Sequence, residues 1–513
     1  MKINQLKAGA ILSYASIGLN SIIGLIYTPF MLRMMGQSEY GLYSLAASLI
    51  AYLTILDLGF GNAIIRYTAK FRAENRQQEQ SEMFGMFLKL YSVISIITLL
   101  AGSVLYFNVE KLFDETMNNE EMYKVRIMLL LMLFNLAFTF PMSIWGSIIT
   151  AYEQFIFQKI INIIRIILNP LVMVLLLMFG YKAIAMVIVT TLFNVTTLTI
   201  NWWYCRKRLN IKIHFGKIKW KFLQEISFYS FWIFLEAIMD KIYWSSGQFI
   251  LGMYVGTAAI AVYTVAIQLR GMYMGFSLAI VSVFLPKVTA MVVPENNGKK
   301  LSDLFIRLGR IQYILISFIL VGFILFGKQF ICLWAGQDYE KSYYIALLFF
   351  IPLLPDLIQN LGITILQASN KMKFRSILCL IIAIVNIGIS IPLAQKYGEI
   401  GCAIATAISL IIVQGMVMNI YYKKHIHLDI FQFWKEIFKM SIVPILLGIV
   451  TFLILVYIPP LNSFTSLTIT ILIFTIIYIF CFWQGSMNVY ERTLFKKPIQ
   501  QFLKVTTYKL GLK

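Results

Sequence analysis

The sequence predicts an all-α polytopic integral membrane protein, and three observations carry that prediction. Of the 513 residues 59% are hydrophobic and 13% charged, whereas soluble domains hold roughly 45–50% apolar and about 25% charged residues. Mean hydropathy is +0.78. The apolar residues lie in continuous runs, not in the alternating pattern of an outer-membrane barrel. Backbone in lipid must satisfy its own hydrogen bonds, so continuous runs imply helices.

A run of about 20 apolar residues suffices to span a bilayer. Fourteen are found, centred on 8–32, 40–60, 83–107, 125–150, 156–179, 183–204, 226–254, 259–286, 308–327, 343–367, 376–395, 400–422, 437–458 and 465–485. The first is too long for a signal-peptide core of about 7–15 residues and no small-residue cleavage site follows it, so it is expected to stay as a span. Gly180–Lys182 alone separates the fifth run from the sixth.

Charge decides orientation. There are 44 Lys+Arg against 23 Asp+Glu, a net +21. That excess would suggest nucleic acid in a soluble chain, but here it sits in the short connections between spans. With the N-terminus inside, the inner segments hold 32 of the basic residues and the outer connections 7. The positive-inside rule therefore places both termini on the cytoplasmic side. The outer connections are short, so no soluble domain is expected and any function must lie within the helices. The five cysteines (205, 332, 379, 402, 481) are odd in number and scattered, which supports neither a disulfide framework nor a zinc site. His425 and His427 have no third ligand nearby and fit a solvated basic loop.

An internal repeat is legible. Residues 34–49 (MMGQSEYGLYSLAASL) align with 254–269 (YVGTAAIAVYTVAIQL), placing Gly36 on Gly256 and Tyr43 on Tyr263. Residues 151–169 align with 368–386, and NWWYCRK from Asn201 resembles NIYYKKH from Asn419. Six spans per copy is an even number, so the copies enter from the same side as parallel repeats. The expected organisation is a lobe at 1–204, a basic cytoplasmic linker at 205–225, a second lobe at 226–424, two extra spans at 425–485 and a basic tail at 486–513.

The patches RMMGQSEYGLYSLAAS and DLGFGNAIIRYTAKFRAEN (57–75), then DKIYWSSGQFILGMYVGTAAIAVYTVA (240–266), FLPKVTA (284–290), ILQASNKMKFRS (365–376) and KYGEIGCAIATAIS (396–409) follow one another in order. Together they resemble the bacterial polysaccharide-biosynthesis flippases of the multidrug/oligosaccharidyl-lipid/polysaccharide (MOP) exporter superfamily, over residues 8–485. The resemblance implies two six-helix lobes in a V around a cation-lined cavity. It implies a flippase, not an enzyme, that moves an undecaprenyl-pyrophosphate-linked O-antigen or exopolysaccharide unit across the cytoplasmic membrane by alternating access, with no cofactor but a proton or sodium gradient. The protein partners expected are a polysaccharide polymerase and chain-length machinery.

Sheltering a pyrophosphate inside a bilayer calls for Arg or Lys in a site of low dielectric. Charges in mid-span are costly and each is a site candidate. In the seventh span Glu236 and Asp240 share a face, and Lys241 follows at roughly 22 Å above the inner edge by helical rise. Arg270 in the eighth span stands at roughly 25 Å. An Asp240–Arg270 salt bridge and a Lys241/Arg270 cationic pair on a cavity wall both remain open. Arg165 lies roughly 13 Å deep, too deep for easy snorkelling. Arg66 and Lys70, with Arg72, follow Asp57 at the inner end of the second span and either meet an entering headgroup or anchor the helix. Lys89 and Arg126 lie near enough to span ends to snorkel. Asp57 and Asp356 are candidates for ion or proton coupling, the latter because Pro352 and Pro355 should kink the tenth span and free carbonyls. GFILFGKQ (322–329) imitates a phosphate-binding loop, but Gln329 replaces the required Ser or Thr, so no ATP site is expected.

Three other activities are weighed. A multidrug exporter of the same superfamily would be expected to have twelve spans and an acidic pocket, and a peptidoglycan-precursor flippase more basic residues in its first two spans than Arg33. A membrane polysaccharide polymerase needs a large outer loop, which is lacking.

Overall fold

In a computed structural model the described residues are 5–57, 59–216, 220–281, 298–369, 371–457 and 463–493. FLPKVTA (284–290) and most of the basic tail lie outside them. The described elements are helices: α1 (Gln5–Leu53), α2 (Phe60–Ala73), α3 (Gln77–Phe113), α4 (Asn119–Ala151), α5 (Phe155–Met178), α6 (Ala183–Lys207), α7 (Trp220–Tyr254), α8 (Thr257–Val281), α9 (Gly298–Trp334), α10 (Lys341–Ile358), α11 (Asn360–Ala368), α12 (Met372–Leu410), α13 (Met418–His425), α14 (Ile430–Tyr457) and α15 (Phe464–Gly485).

Ten stretches among the described residues are long and apolar enough to cross a membrane. Two of them, 15–73 and 372–425, contain a glycine with non-helical dihedrals, Gly36 (φ 77°) and Gly398 (φ 59°), and each holds two spans. With α7 and α8, fourteen spans are accounted for, in agreement with the sequence. α5 ends at Met178 and α6 begins at Ala183, so the narrow gap at Gly180–Lys182 does divide two helices. The chain is a multi-pass membrane protein.

Positive φ recurs at matching places in the two copies of the repeat. The pairs are Gly36 (77°) with Gly256 (118°), Gly180 (85°) with Gly398 (59°), and Asn210 (50°) with His427 (58°), at offsets of 220, 218 and 217. Glycine suits such turns because it lacks the Cβ that clashes there.

Where the helices depart from the apolar runs, a local reason is visible. The second span breaks at a 3-10 turn (Thr54–Asp57) and Gly59 (φ 69°), then resumes as α2. α2 is amphipathic: Phe60, Ala63, Ile64, Tyr67 and Phe71 are buried, whereas Asn62, Arg66 and Lys70 are exposed. The prolines of the tenth span sit inside α10, and the helix gives way at Gln359, four residues after Pro355. The twelfth span carries a π-helical turn at Ile411–Val417.

The chain forms two compact units, Met1–Ile267 with Lys373–Thr406, and Gln268–Met372 with Ala407–Lys513. In the first, α4 is central and packs on α1, α2, α3 and α6, while α1 also packs on α5 and α7. Phe60, Phe87, Tyr91, Phe140 and Trp145 join α2, α3 and α4 in one core, with Tyr91 and Phe140 stacked at 6.4 Å. Helix contact within hydrocarbon gains close packing, not transfer from water. At one end of this unit Lys124 binds Glu39 and Glu120 at 2.6 Å each, and the Ala183 amide donates to Glu39 at 3.3 Å. Asn118 and Glu121 cap α4 reciprocally, and Thr257 donates to Glu121 at 3.1 Å. These bonds tie four helix junctions together.

In the second unit α9 is central, packing on α10, α11, α14 and α15. Phe305 meets Phe433 at 4.8 Å. Arg310, 5% exposed, donates to Glu491 at 2.6 and 3.0 Å, to Glu436 at 2.7 Å and to the Ser486 carbonyl at 3.1 Å.

Candidate functional site

α5 presents two kinds of surface. Ile160, Ile164, Ile167, Leu168, Leu171, Leu175 and Met178 are exposed along one stripe. Gln158, Asn162, Arg165 and Asn169 recur at spacings of three and four residues along another, roughly opposite at about 100° per residue. Asn162 is exposed and Arg165 half-buried. Only one side of a helix can face lipid when the other carries amides and a guanidinium, because uncompensated polar groups in hydrocarbon are costly. The apolar stripe has the character of a lipid-facing side, and the polar stripe lies roughly opposite it.

α1, packed on α5, repeats the pattern: Asn20 and Tyr27 share a face, with the exposed Ile22 and Ile26 on the other side. The Tyr27 hydroxyl and the Asn169 Oδ1 are buried and accept or donate no hydrogen bond among the described residues. A buried polar atom left so costs about 1–3 kcal/mol, which water or a bound polar group would relieve. The lower end of the α5 stripe is satisfied: Gln158 donates to the Gly146 carbonyl at 3.2 Å and accepts from Thr150 at 3.0 Å.

The other sequence candidates of this unit are placed as follows. Arg66 and Lys70 project from the exposed face of α2, the Arg66 guanidinium 5.9 Å from the Tyr67 ring. Arg72 is a structural residue, donating to the Ala151 carbonyl at 2.9 Å and lying 4.0 Å over the Tyr152 ring. Asp57 ends the 3-10 turn at the helix break and faces the Tyr91 hydroxyl, itself against Ser143. Asp240 and Lys241 are exposed on α7; Glu236 belongs to α7, but its side chain lies outside the described residues. Lys89 donates to the Gly216 carbonyl at 3.0 Å and Arg126 pairs with Glu110 at 2.8 Å.

In the second unit Arg270 is half-buried on α8 and Asp356 half-buried on α10, and both are engaged in interactions. Beside the break in α10, Gln359 donates to Asn419 at 2.8 Å, and Asn419 accepts from the Trp434 indole at 2.9 Å while donating to the Gln414 and Gly415 carbonyls of the π-helical turn. Sequence reasoning misses this cluster and the Arg310 triad, because charge and hydropathy counts assign no partner. It also passes over Asn162 and Asn169, whose period-of-3.6 spacing around Arg165 is the available signal.

Among cations of the first unit, Lys124, Arg126 and Arg76 have carboxylate partners. Arg165 has no ion pair among the described residues. A guanidinium is always charged, so the polar stripe of α5 carries a standing positive charge suited to an anionic ligand.

The chain is 19% identical over 424 residues to the uncharacterized membrane protein EpsK of Bacillus subtilis (strain 168), covering 78% of this chain and 81% of the relative. It is 20% identical over 404 residues to a putative O-antigen transporter of Shigella flexneri, covering 76% and 92%. Among solved structures, the lipid II flippase MurJ in an inward closed conformation superposes with a TM-score of 0.72 at 18% identity, covering 92% of this chain and 98% of that one. An inward-facing multidrug resistance MATE transporter of the MOP superfamily gives 0.65 at 13% identity, covering 80% and 94%. The fold is thus that of MurJ and the MATE transporters. Residues 6–292, more than half of the chain, match the family described as polysaccharide biosynthesis protein, and the chain belongs to that family.

Proposed function

We propose that this protein is a flippase that carries an undecaprenyl-pyrophosphate-linked oligosaccharide from the inner to the outer leaflet of the cytoplasmic membrane. The observation that carries this reading is α5, whose exposed apolar face and opposed polar face with Arg165 fit a wet, cationic path beside lipid. The headgroup enters against Arg66 and Lys70 and moves past Arg165 and Lys241, Arg270 offers a further cation in the second unit, and the lipid tail stays in the bilayer. Charge-assisted hydrogen bonds from Arg and Lys replace water around the phosphates. A proton or sodium ion drives the cycle through Asp57, Asp240, Glu236 or Asp356. Both termini face the cytoplasm, following the charge asymmetry of the connections.

The test is a strain lacking the gene, assayed for the leaflet and amount of lipid-linked glycan together with surface polysaccharide. Units trapped on the inner leaflet with surface polymer lost are expected. Single units reaching the outer leaflet but failing to polymerise would refute the flippase and favour a polymerase.

A further inference from the structure

The connection after α6 is not a free loop. After a turn at Asn210 (φ 50°), residues 211–216 (IKIHFG) run beside α3. The Ile211 amide donates to the Cys205 carbonyl at 3.0 Å, the His214 amide to the Ser81 carbonyl at 3.1 Å, and Lys89 to the Gly216 carbonyl. Gly85 makes the approach possible, since a Cβ there would lie 2.1 Å from the His214 carbonyl oxygen. Side chains alternate as on a strand: Ile211 is 5% exposed and Ile213 half-buried, whereas Lys212 and His214 point outward.

This strap holds a basic surface in place. Lys207, Arg208 and Lys212 are all exposed, and none has an ion pair among the described residues. No Asp or Glu occurs from Asn201 to Gly216. The flanking aromatics are exposed as well, Trp202 at 39%, Trp203 at 52% and Phe215 at 59%. Tryptophans in the last turns of a spanning helix mark the headgroup level of a bilayer. A row of cations at that level, with aromatic side chains that can enter the acyl boundary, matches the chemistry of an anionic lipid surface. A disordered basic tail would lose conformational entropy on binding; this strap is already ordered by α3.

We propose that the strap and the end of α6 form a docking surface for anionic phospholipid headgroups, through Lys207, Arg208, Lys212 and the flanking Trp203 and Phe215. The proposal does not depend on what the protein transports.

The test uses purified full-length protein in nanodiscs of mixed phosphatidylglycerol and phosphatidylcholine, with co-purifying lipid counted by native mass spectrometry. Each basic side chain at an anionic surface is worth about fivefold in preference. The combined variant Lys207→Gln, Arg208→Gln, Lys212→Gln should therefore lose up to about a hundredfold of the phosphatidylglycerol preference of its tightest site. A control, Lys423→Gln with Lys424→Gln, removes exposed charge elsewhere and should keep that preference. No preference in the unaltered protein, an unchanged preference in the strap variant, or an equal loss in the control would each overturn the proposal. Displacement of the bound lipid by millimolar inorganic phosphate would also overturn it, by assigning the surface to a free anion.

Discussion

The Arg310 triad offers the sharpest energetic forecast. The guanidinium is 5% exposed and spends its donors on both oxygens of Glu491, one of Glu436 and the Ser486 carbonyl. Glu491 is 1% exposed and is further held by the Asn488 amide at 2.9 Å. Its change to Gln leaves a buried cation with one carboxylate in place of two, and breaking such a pair costs about 3–5 kcal/mol. Folding units of this size lose about 2–4 °C of Tm per kcal/mol, so Glu491→Gln should melt roughly 10 °C lower. Glu436 has a side chain 23% exposed against 1% for Glu491, so Glu436→Gln should cost less than half as much. Replacing Arg310, Glu436 and Glu491 together by Met, Leu and Leu should recover most of the loss, since no charge is then left buried. Thermal loss of helical circular dichroism in detergent reads all four proteins. An unchanged Tm for Glu491→Gln, or a triple variant as unstable as the single one, would refute the reasoning.

Other outcomes follow from the same structure. Arg165→Leu should abolish export while leaving Tm unchanged or higher, because Arg165 has no ion pair among the described residues; a drop like that of Glu491→Gln would make it a structural residue. Cysteines at Asn162 and Ile164 should part company, with a membrane-impermeant maleimide labelling the first in open membranes and only a lipid-soluble reagent labelling the second. Equal labelling would remove the wet face of α5. In intact cells a cysteine at Glu115 should label from outside and one at Lys207 should not; the reverse would invert the proposed orientation.

The family and the span count are legible in the amino-acid sequence because the signals are local and large. A run of twenty apolar residues needs no partner to be recognised, and a glycine turn leaves its mark in both copies of a repeat. The broken second span is half-legible: DLGFG holds the Gly59 turn, yet the amphipathic helix after it, with Phe60, Ile64 and Phe71 inward, reads by hydropathy as an inner connection. The same limit explains α10, where the prolines are visible but the break falls at Gln359, whose side chain is held by Asn419 sixty residues away.

The sequence by itself determined a helical membrane chain of fourteen spans with duplicated halves and identified mid-span charges, because hydropathy and charge act through position along the chain. Tertiary structure decided which charges are spent on holding the protein together and which stand open. Arg310 and Arg165 are both arginines of the same composition count; one is saturated by Glu491 and Glu436 and the other meets no carboxylate among the described residues. That difference arises from groups between 126 and 181 residues apart in the chain, and pairing across such distances is set by helix packing, which no local pattern encodes.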